Sequence, residues 1–220
     1  SFMVNNFERT IVLEDDLLTS PFFLTYMNNG LNYYKDSLQI KTISAYIEPI
    51  KTSKKQAVLL PVGTAWGWGT WKRTIDEIEF DATILLKKII KLPQEKINEF
   101  NYAGENFVGM LEAQCKGEID TWDIQFYTSC FLNDGLHLKP TQSLTKNFGF
   151  DTQGTHCKEF HPIHSKTTVS QIEIDVPKQL TTIDTNINNK IINIYKKQRL
   201  YDRFNYRKNQ FIRIINRLKP

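Results

Sequence analysis

Cysteine is scarce in this chain. Cys115, Cys130 and Cys157 are all it has, too few and too scattered along 220 residues for a disulfide framework or a cysteine-based zinc site. An odd, unstapled set fits a reducing compartment. Long apolar runs are missing too: none approaches the ~18 residues a membrane span needs, and the mean hydropathy is −0.40. The opening Ser1-Phe2-Met3-Val4-Asn5-Asn6 lacks the basic region followed by a long apolar one that marks a secretory signal. These absences lead to the expectation of a cytoplasmic chain, at most peripheral at the inner face of a membrane. What is present is apolar material for a core, at 40% hydrophobic and 12% aromatic, in a length that suits one large domain or one domain with an appendage.

Charge is unevenly spread. Residues 190–220 carry ten basic side chains against the single Asp202, a net +9, whereas residues 1–189 hold 18 basic and 23 acidic ones, a net −5. The pI of about 8.8 describes neither part. From Thr182 onward Ile187, Ile191, Ile194, Tyr195, Leu200, Phe204, Phe211, Ile214 and Ile215 recur between the bases as in one amphipathic helix. The division expected is a body, 1–178, and a basic helical tail, 179–220. Two roles fit residues 182–220: contact with an anionic membrane surface or a partner chain, or packing against the mildly acidic body. Nucleic acid is not expected, because the body offers no matching basic face or motif.

Residues 1–9 read as the last turns of a helix, followed by a strand, Thr10-Ile11-Val12-Leu13, that ends in Glu14-Asp15-Asp16. Pro21 sits early in a second helix bearing Phe22, Phe23, Tyr26, Met27, Leu31 and Tyr34. Strands are expected over 40–46, 57–62, 136–140 and, at an edge, 167–176. Helices are expected over 71–80, 82–91, 94–100 and 106–116, with Gly117 as a stop. Strand and helix alternate as in an α/β fold.

Three stretches carry chemistry. Adjacent carboxylates at 14–16 repel one another unless a cation lies among them, and hard oxygen ligands suit Mg²⁺ or Mn²⁺ bridging to substrate phosphates. The alternative is a polar loop after a buried strand. Gly63-Thr64-Ala65-Trp66-Gly67-Trp68-Gly69-Thr70-Trp71 packs three tryptophans and three glycines into nine positions, either an aromatic-filled turn or a wall on which a sugar ring stacks. Asp120 or Thr121 can cap a helix, which puts Asp123 in its first turn, where the helix field favours the ionised carboxylate. His156, His161 and His164 lie near one another, but no pair at helical spacing has an accompanying acid, so zinc is not expected.

In order along the chain, the segment 2–16 with Ser20-Pro21-Phe22-Phe23, then Trp66-Gly67-Trp68-Gly69-Thr70-Trp71-Lys72-Arg73, Trp122-Asp123, Asn147-Phe148-Gly149-Phe150 and Gly154-Thr155-His156 resemble bacterial nucleotide-sugar glycosyltransferases of the GT-A fold. A more distant similarity is to N-acetylglucosaminyltransferase I. The resemblance covers about residues 1–160. It implies a Rossmann-like mixed sheet with flanking helices and inverting transfer of a sugar from a nucleotide-diphospho-sugar to a glycan, lipid-linked or other hydroxyl acceptor, in bacterial surface polysaccharide assembly. It further implies Asp16 as ligand of Mn²⁺ or Mg²⁺, Glu14 and Asp15 on the nucleotide side, and Asp123 as general base. Trp66, Gly67, Trp68, Trp122 and His156 would then contact substrate. Relatives carry a nucleotide-binding part ahead of the metal strand that has no counterpart here. The expectation is therefore a fragment or a short form, with an open sheet edge that favours a homodimer or partner chain. A non-catalytic carbohydrate- or partner-binding module on the same scaffold is the competing reading.

Overall fold

The computed structural model describes residues 2–148 and 163–217, with side chains described outside Phe2, Asn5 and 204–217. Gly149, Phe150, Gly154, Thr155, His156, Cys157 and His161, singled out above, lie outside the described residues. The chain folds as mixed α/β around a five-stranded sheet. In spatial order its strands are β1 (Arg9–Val12), β5 (Trp68–Trp71), β3 (Ile40–Ser44), β6 (Leu136–Lys139) and β4 (Val58–Leu60). Only the central β3–β6 pair is parallel; the other neighbours are antiparallel. A two-stranded ribbon joins β2 (Leu17–Thr19) to β7 (Thr145–Asn147).

Two faces of that sheet are covered for different reasons. On one, α2 (Phe23–Tyr33) buries Phe23, Tyr26, Met27 and Leu31, the residues its 3.6-residue period aligns. They join Ile40, Ile43, Leu138 and Trp71 in the main core. Gly30 permits the approach: a Cβ there would stand 2.9 Å from Ile43 Cγ2. A second cluster is built by α4 (Ala82–Ile89), α5 (Gln94–Phe100), α6 (Phe107–Cys115) and α7 (Asp123–Leu132), around Leu85, Ile89, Phe100, Leu111 and Ile124. It fastens to the sheet where Phe126 and Cys130 of α7 pack on Trp68. The first strand and helices expected at 1–9, 82–91, 94–100 and 106–116 match α1 (Phe2–Phe7), β1, α4, α5 and α6 to within a few residues.

Two expectations need correction. The helix read over 71–80 is only α3 (Lys72–Ile75), because Trp68–Trp71 is claimed as a strand from both sides, by β1 and by β3. The Trp71 indole also donates to Leu31 O at 3.1 Å, which holds that residue to the sheet core. The edge strand read over 167–176 is absent. Ile174 and Val176 are buried and Asp175 makes one bridge to Gln56, but Ile172 faces solvent and Ser170 breaks the alternation. Its N–H donates to Ser143 O at 2.7 Å and its hydroxyl donates to Ile172 O at 3.0 Å.

The basic C-terminal segment forms α8 (Thr185–Arg217). Over its first turns it packs on the body: Ile187 and Ile191 are buried with Ile47, Val58 and Leu60. Lys54 pairs with Asp184, and Lys190 Nζ donates to Lys51 O at 2.9 Å. Arg199 lies 3.6 Å from Glu105. Of the two roles weighed for this segment, packing against the body therefore holds from 185 to 199. Ile191→Val should lower unfolding free energy by about 1 kcal/mol, read as a shifted urea midpoint at constant slope. An unchanged midpoint would mean that this helix lies loose on the body.

Candidate active site

Strand pairing draws the three chemical stretches together. Val12 lies opposite Trp68 in the β1–β5 register, so the loop holding Glu14, Asp15 and Asp16 leaves the sheet beside that indole. Trp68 in turn stacks on Trp122, with centroids 5.3 Å apart and planes at 25°. Trp122 is the residue immediately before α7, whose first residue is Asp123. The N-cap is Trp122, without a side-chain cap, rather than the Asp120 or Thr121 anticipated from sequence; Thr121 Oγ1 instead accepts from the Asp123 N–H at 3.3 Å in a local turn just before the helix. The acid loop is closed from the other side by the β2–β7 ribbon, where Phe148 N–H donates to Asp16 O at 3.0 Å.

Electrostatics register the same convergence. The Glu14 pKa is raised, first by loss of water around it and then by the charges of Asp16, Asp123 and Asp15. Four carboxylates from two distant parts of the chain thus share one field. The Asp123 pKa is raised by desolvation: its side chain reaches solvent at the rim, while protein packed around its other side withdraws water. Asp16 Oδ1 is buried and lacks a hydrogen-bond partner among the described residues.

Next to Asp123 opens a cavity of about 300 Å³ with largely aromatic walls. Trp66, Trp68 and Trp122 all line it, with Tyr46, Phe126 and Tyr127. Trp66 is held edge-on by Tyr46 and His164, each 4.6 Å away between centroids. Tyr46 OH lies 2.7 Å from His164 Nδ1.

No protein-family model matches the chain, and no curated protein matches it in sequence.

Of the residues singled out from sequence, Glu14, Asp15, Asp16, Asp123, Trp68 and Trp122 gather at one end of the sheet, and Trp66 joins them through the cavity wall. Gly67 stands behind that wall. It is buried at φ +75°, its carbonyl accepts from Ala45 N–H at 2.8 Å, and a Cβ there would meet Thr145 Cγ2 at 2.8 Å. Its lack of a side chain lets the wall turn against β7. His156 lies outside the described residues.

Sequence reasoning passed over four polar residues that line the cavity: Thr42, Glu48, Thr64 and His137. Thr42 Oγ1 and His137 Nδ1 lie 2.7 Å apart. Burial and the charges of Lys139 and Lys41 push the His137 pKa down to about 3, so the ring is neutral at physiological pH. Burial pushes the Glu48 carboxyl up, but Lys139 Nζ at 3.3 Å and Tyr195 OH at 3.1 Å more than offset this and hold it below its usual range. A signal existed in Leu136-His137-Leu138-Lys139, where the polar residues alternate with leucines on a central strand. Both faces of β6 are buried, so its polar side chains must have partners within the fold.

Proposed function

We propose that this chain transfers a sugar from a nucleotide-diphospho-sugar to a hydroxyl acceptor by a single inverting displacement, on a GT-A-like scaffold. One observation carries the reading: Asp123 and the Glu14-Asp15-Asp16 loop share an electrostatic field beside the stacked Trp68–Trp122 pair. Carboxylates crowded at a strand end suit a cation-bound diphosphate on one side. A lone, partly desolvated carboxylate beside an aromatic cavity suits the acceptor on the other.

A divalent ion fits the acid loop in a limited way. Among the described residues no group of three or more His, Cys, Asp or Glu side chains is arranged to hold a metal alone. Mg²⁺ and Mn²⁺ commonly take only one or two protein carboxylates and complete their shell with water and substrate phosphates. Asp16, with a buried and unpartnered oxygen, would be that ligand, with Glu14 and Asp15 toward the nucleotide. When bound, the ion neutralises charge on the departing diphosphate. Asp123 takes the proton of the acceptor hydroxyl as its oxygen bonds to the anomeric carbon and the bond to the diphosphate breaks. A carboxylate with a raised pKa is the stronger base for that step.

Calorimetry with nucleoside diphosphates and Mn²⁺ tests the donor side. Asp16→Asn should weaken binding roughly 10-fold to 100-fold, the worth of a charged contact, while binding without Mn²⁺ stays as weak as in the wild type. Heat from no nucleoside diphosphate, beside binding of a glycan, would turn the reading to a non-catalytic carbohydrate module. The resemblance extends to surface polysaccharide assembly, and a glycan or lipid-linked acceptor belongs to the proposal on the same footing. Among the described residues no helix is long and apolar enough to cross a membrane.

A further inference from the structure

The aromatic cavity extends from an exposed rim to a buried polar end. Trp122, 42% exposed, stands at the rim beside Asp123, whereas Thr42 and His137 are 3% and 2% exposed. At the buried end two polar atoms have no partner among the described residues: His137 Nε2 and Thr64 Oγ1. Both residues line the cavity, and orphaned polar atoms of this kind call for a partner that the described residues do not supply. A single ordered water could serve one of them. The free space of about 300 Å³ is, however, far above the roughly 10–15 Å³ that one water needs.

We propose that His137 and Thr64 form a hydroxyl-reading end of this cavity, which takes a neutral sugar ring of the acceptor. This rests on the transfer reading for the role of that ring. Three observations choose the chemistry. The walls are flat and apolar, which suits the CH faces of a pyranose stacked on the half-buried Trp66 or the exposed Trp122. The charges at the buried end are already matched, since Glu48 is held by Lys139 at 3.3 Å, so an ionic ligand would find no counter-charge there. The unpartnered atoms call for a group that both donates and accepts. The Thr42 hydroxyl can donate to His137 Nδ1 or accept from it, so Nε2 is a donor in one tautomer and an acceptor in the other, and a ligand hydroxyl satisfies both cases. Gly63 locks that geometry, because a Cβ there would stand 2.7 Å from His137 Nδ1 and 3.0 Å from Thr42 Oγ1. A ring seated in this way directs another of its hydroxyls toward Asp123 at the rim.

A site built to pair a hydroxyl rejects the analogue that lacks it. The experiment is saturation-transfer NMR with the methyl glycosides of glucose, galactose, mannose and N-acetylglucosamine, and the monodeoxy form of each. In the wild type one ring should bind, and one deoxy position should weaken it roughly 10-fold to 100-fold. That discrimination should fall below threefold in Thr64→Val, which keeps side-chain shape, and in His137→Phe. Thr64 is only partly buried, so its variant keeps the test open if His137→Phe does not fold. Absence of binding by every ring overturns the proposal, as does equal binding of all deoxy forms or discrimination unchanged in Thr64→Val. Titration of the same samples with Mn²⁺ and uridine, guanosine or adenosine diphosphate separates the two readings. Nucleotide heat without sugar binding removes the hydroxyl-reading end and leaves transfer standing. Discriminating sugar binding without nucleotide heat removes transfer and leaves the pocket.

Discussion

Asp123→Asn is expected to slow sugar transfer by about 10²–10⁴-fold, the usual contribution of a positioned general base, while nucleoside diphosphate affinity changes little. The substitution is close to isosteric and the local turn before the helix survives, because it is the main-chain N–H of residue 123 that bonds Thr121 Oγ1. What disappears is the carboxylate that, among the described residues, stands at the cavity rim able to accept the acceptor proton. The pH profile adds a readout that misfolding would not imitate. Desolvation raises the Asp123 pKa, so the acidic limb of the wild-type rate should fall at a pH above the ordinary aspartate value of 3.8, and asparagine should erase that limb. Loss of the charge should also let Glu14 titrate lower, since Asp123 is one of three acids that push it up. Stopped assays with radiolabelled donor over pH 4–8 would measure both. Transfer at the wild-type rate would remove Asp123 as the base.

How far this geometry could be read from the residues depends on whether the signal was local. Pro93 before an i, i+3, i+4 pattern fixed α5 at Gln94–Phe100, and Asp120-Thr121 placed Asp123 in the first turn of a helix. The strand leading into Glu14-Asp15-Asp16 was legible for the same reason. β5 was not. Its glycines and tryptophans read as a turn, and only pairing with β1, some sixty residues earlier, and with β3 makes a strand of Trp68–Trp71. The edge strand expected at 167–176 failed in the opposite way: its apolar period was present, but serine hydroxyls took the backbone bonds a ladder would need. Of the site, the acids and indoles were visible because their composition is unusual. Thr42, Thr64, Glu48 and His137 are ordinary residues in sequence. They become notable only because β3 and β6 are neighbours and the 45–48 segment lies against α8. The amphipathic period of α8 likewise announced an apolar stripe without saying what covers it. Ile47, Val58 and Leu60 do so at its first turns.

The buried Glu48–Lys139 pair yields the largest expected effect on stability. Lys139→Met should lower unfolding free energy by about 3–5 kcal/mol near pH 7, because it leaves an uncompensated carboxylate that is 5% exposed. The loss should depend on pH in a definite direction. In the wild type Glu48 titrates below its ordinary 4.5 when folded, so the pair's contribution is full above that value and lost as pH falls through the lower folded pKa. His137 adds to the same trend: with a folded pKa of about 3 against 6.5, it costs stability progressively as pH falls between those values. Without Lys139 the Glu48 effect changes sign. Buried and unpaired, the carboxyl titrates above 4.5, so acidification neutralises it and relieves the variant. Removing the lysine also takes away one of the charges that depress His137, which flattens the second trend. Both changes make the gap between variant and wild type widest near pH 7 and narrower toward pH 4. Glu48→Gln combined with Lys139→Met should recover most of the loss, since the pair is then replaced by neutral groups of similar size. Urea unfolding of the three chains across that pH range measures all of it. A single-variant loss under about 1 kcal/mol, or a gap that does not change with pH, would show that Glu48 reaches water and that the polar end of the cavity is open from the α8 side.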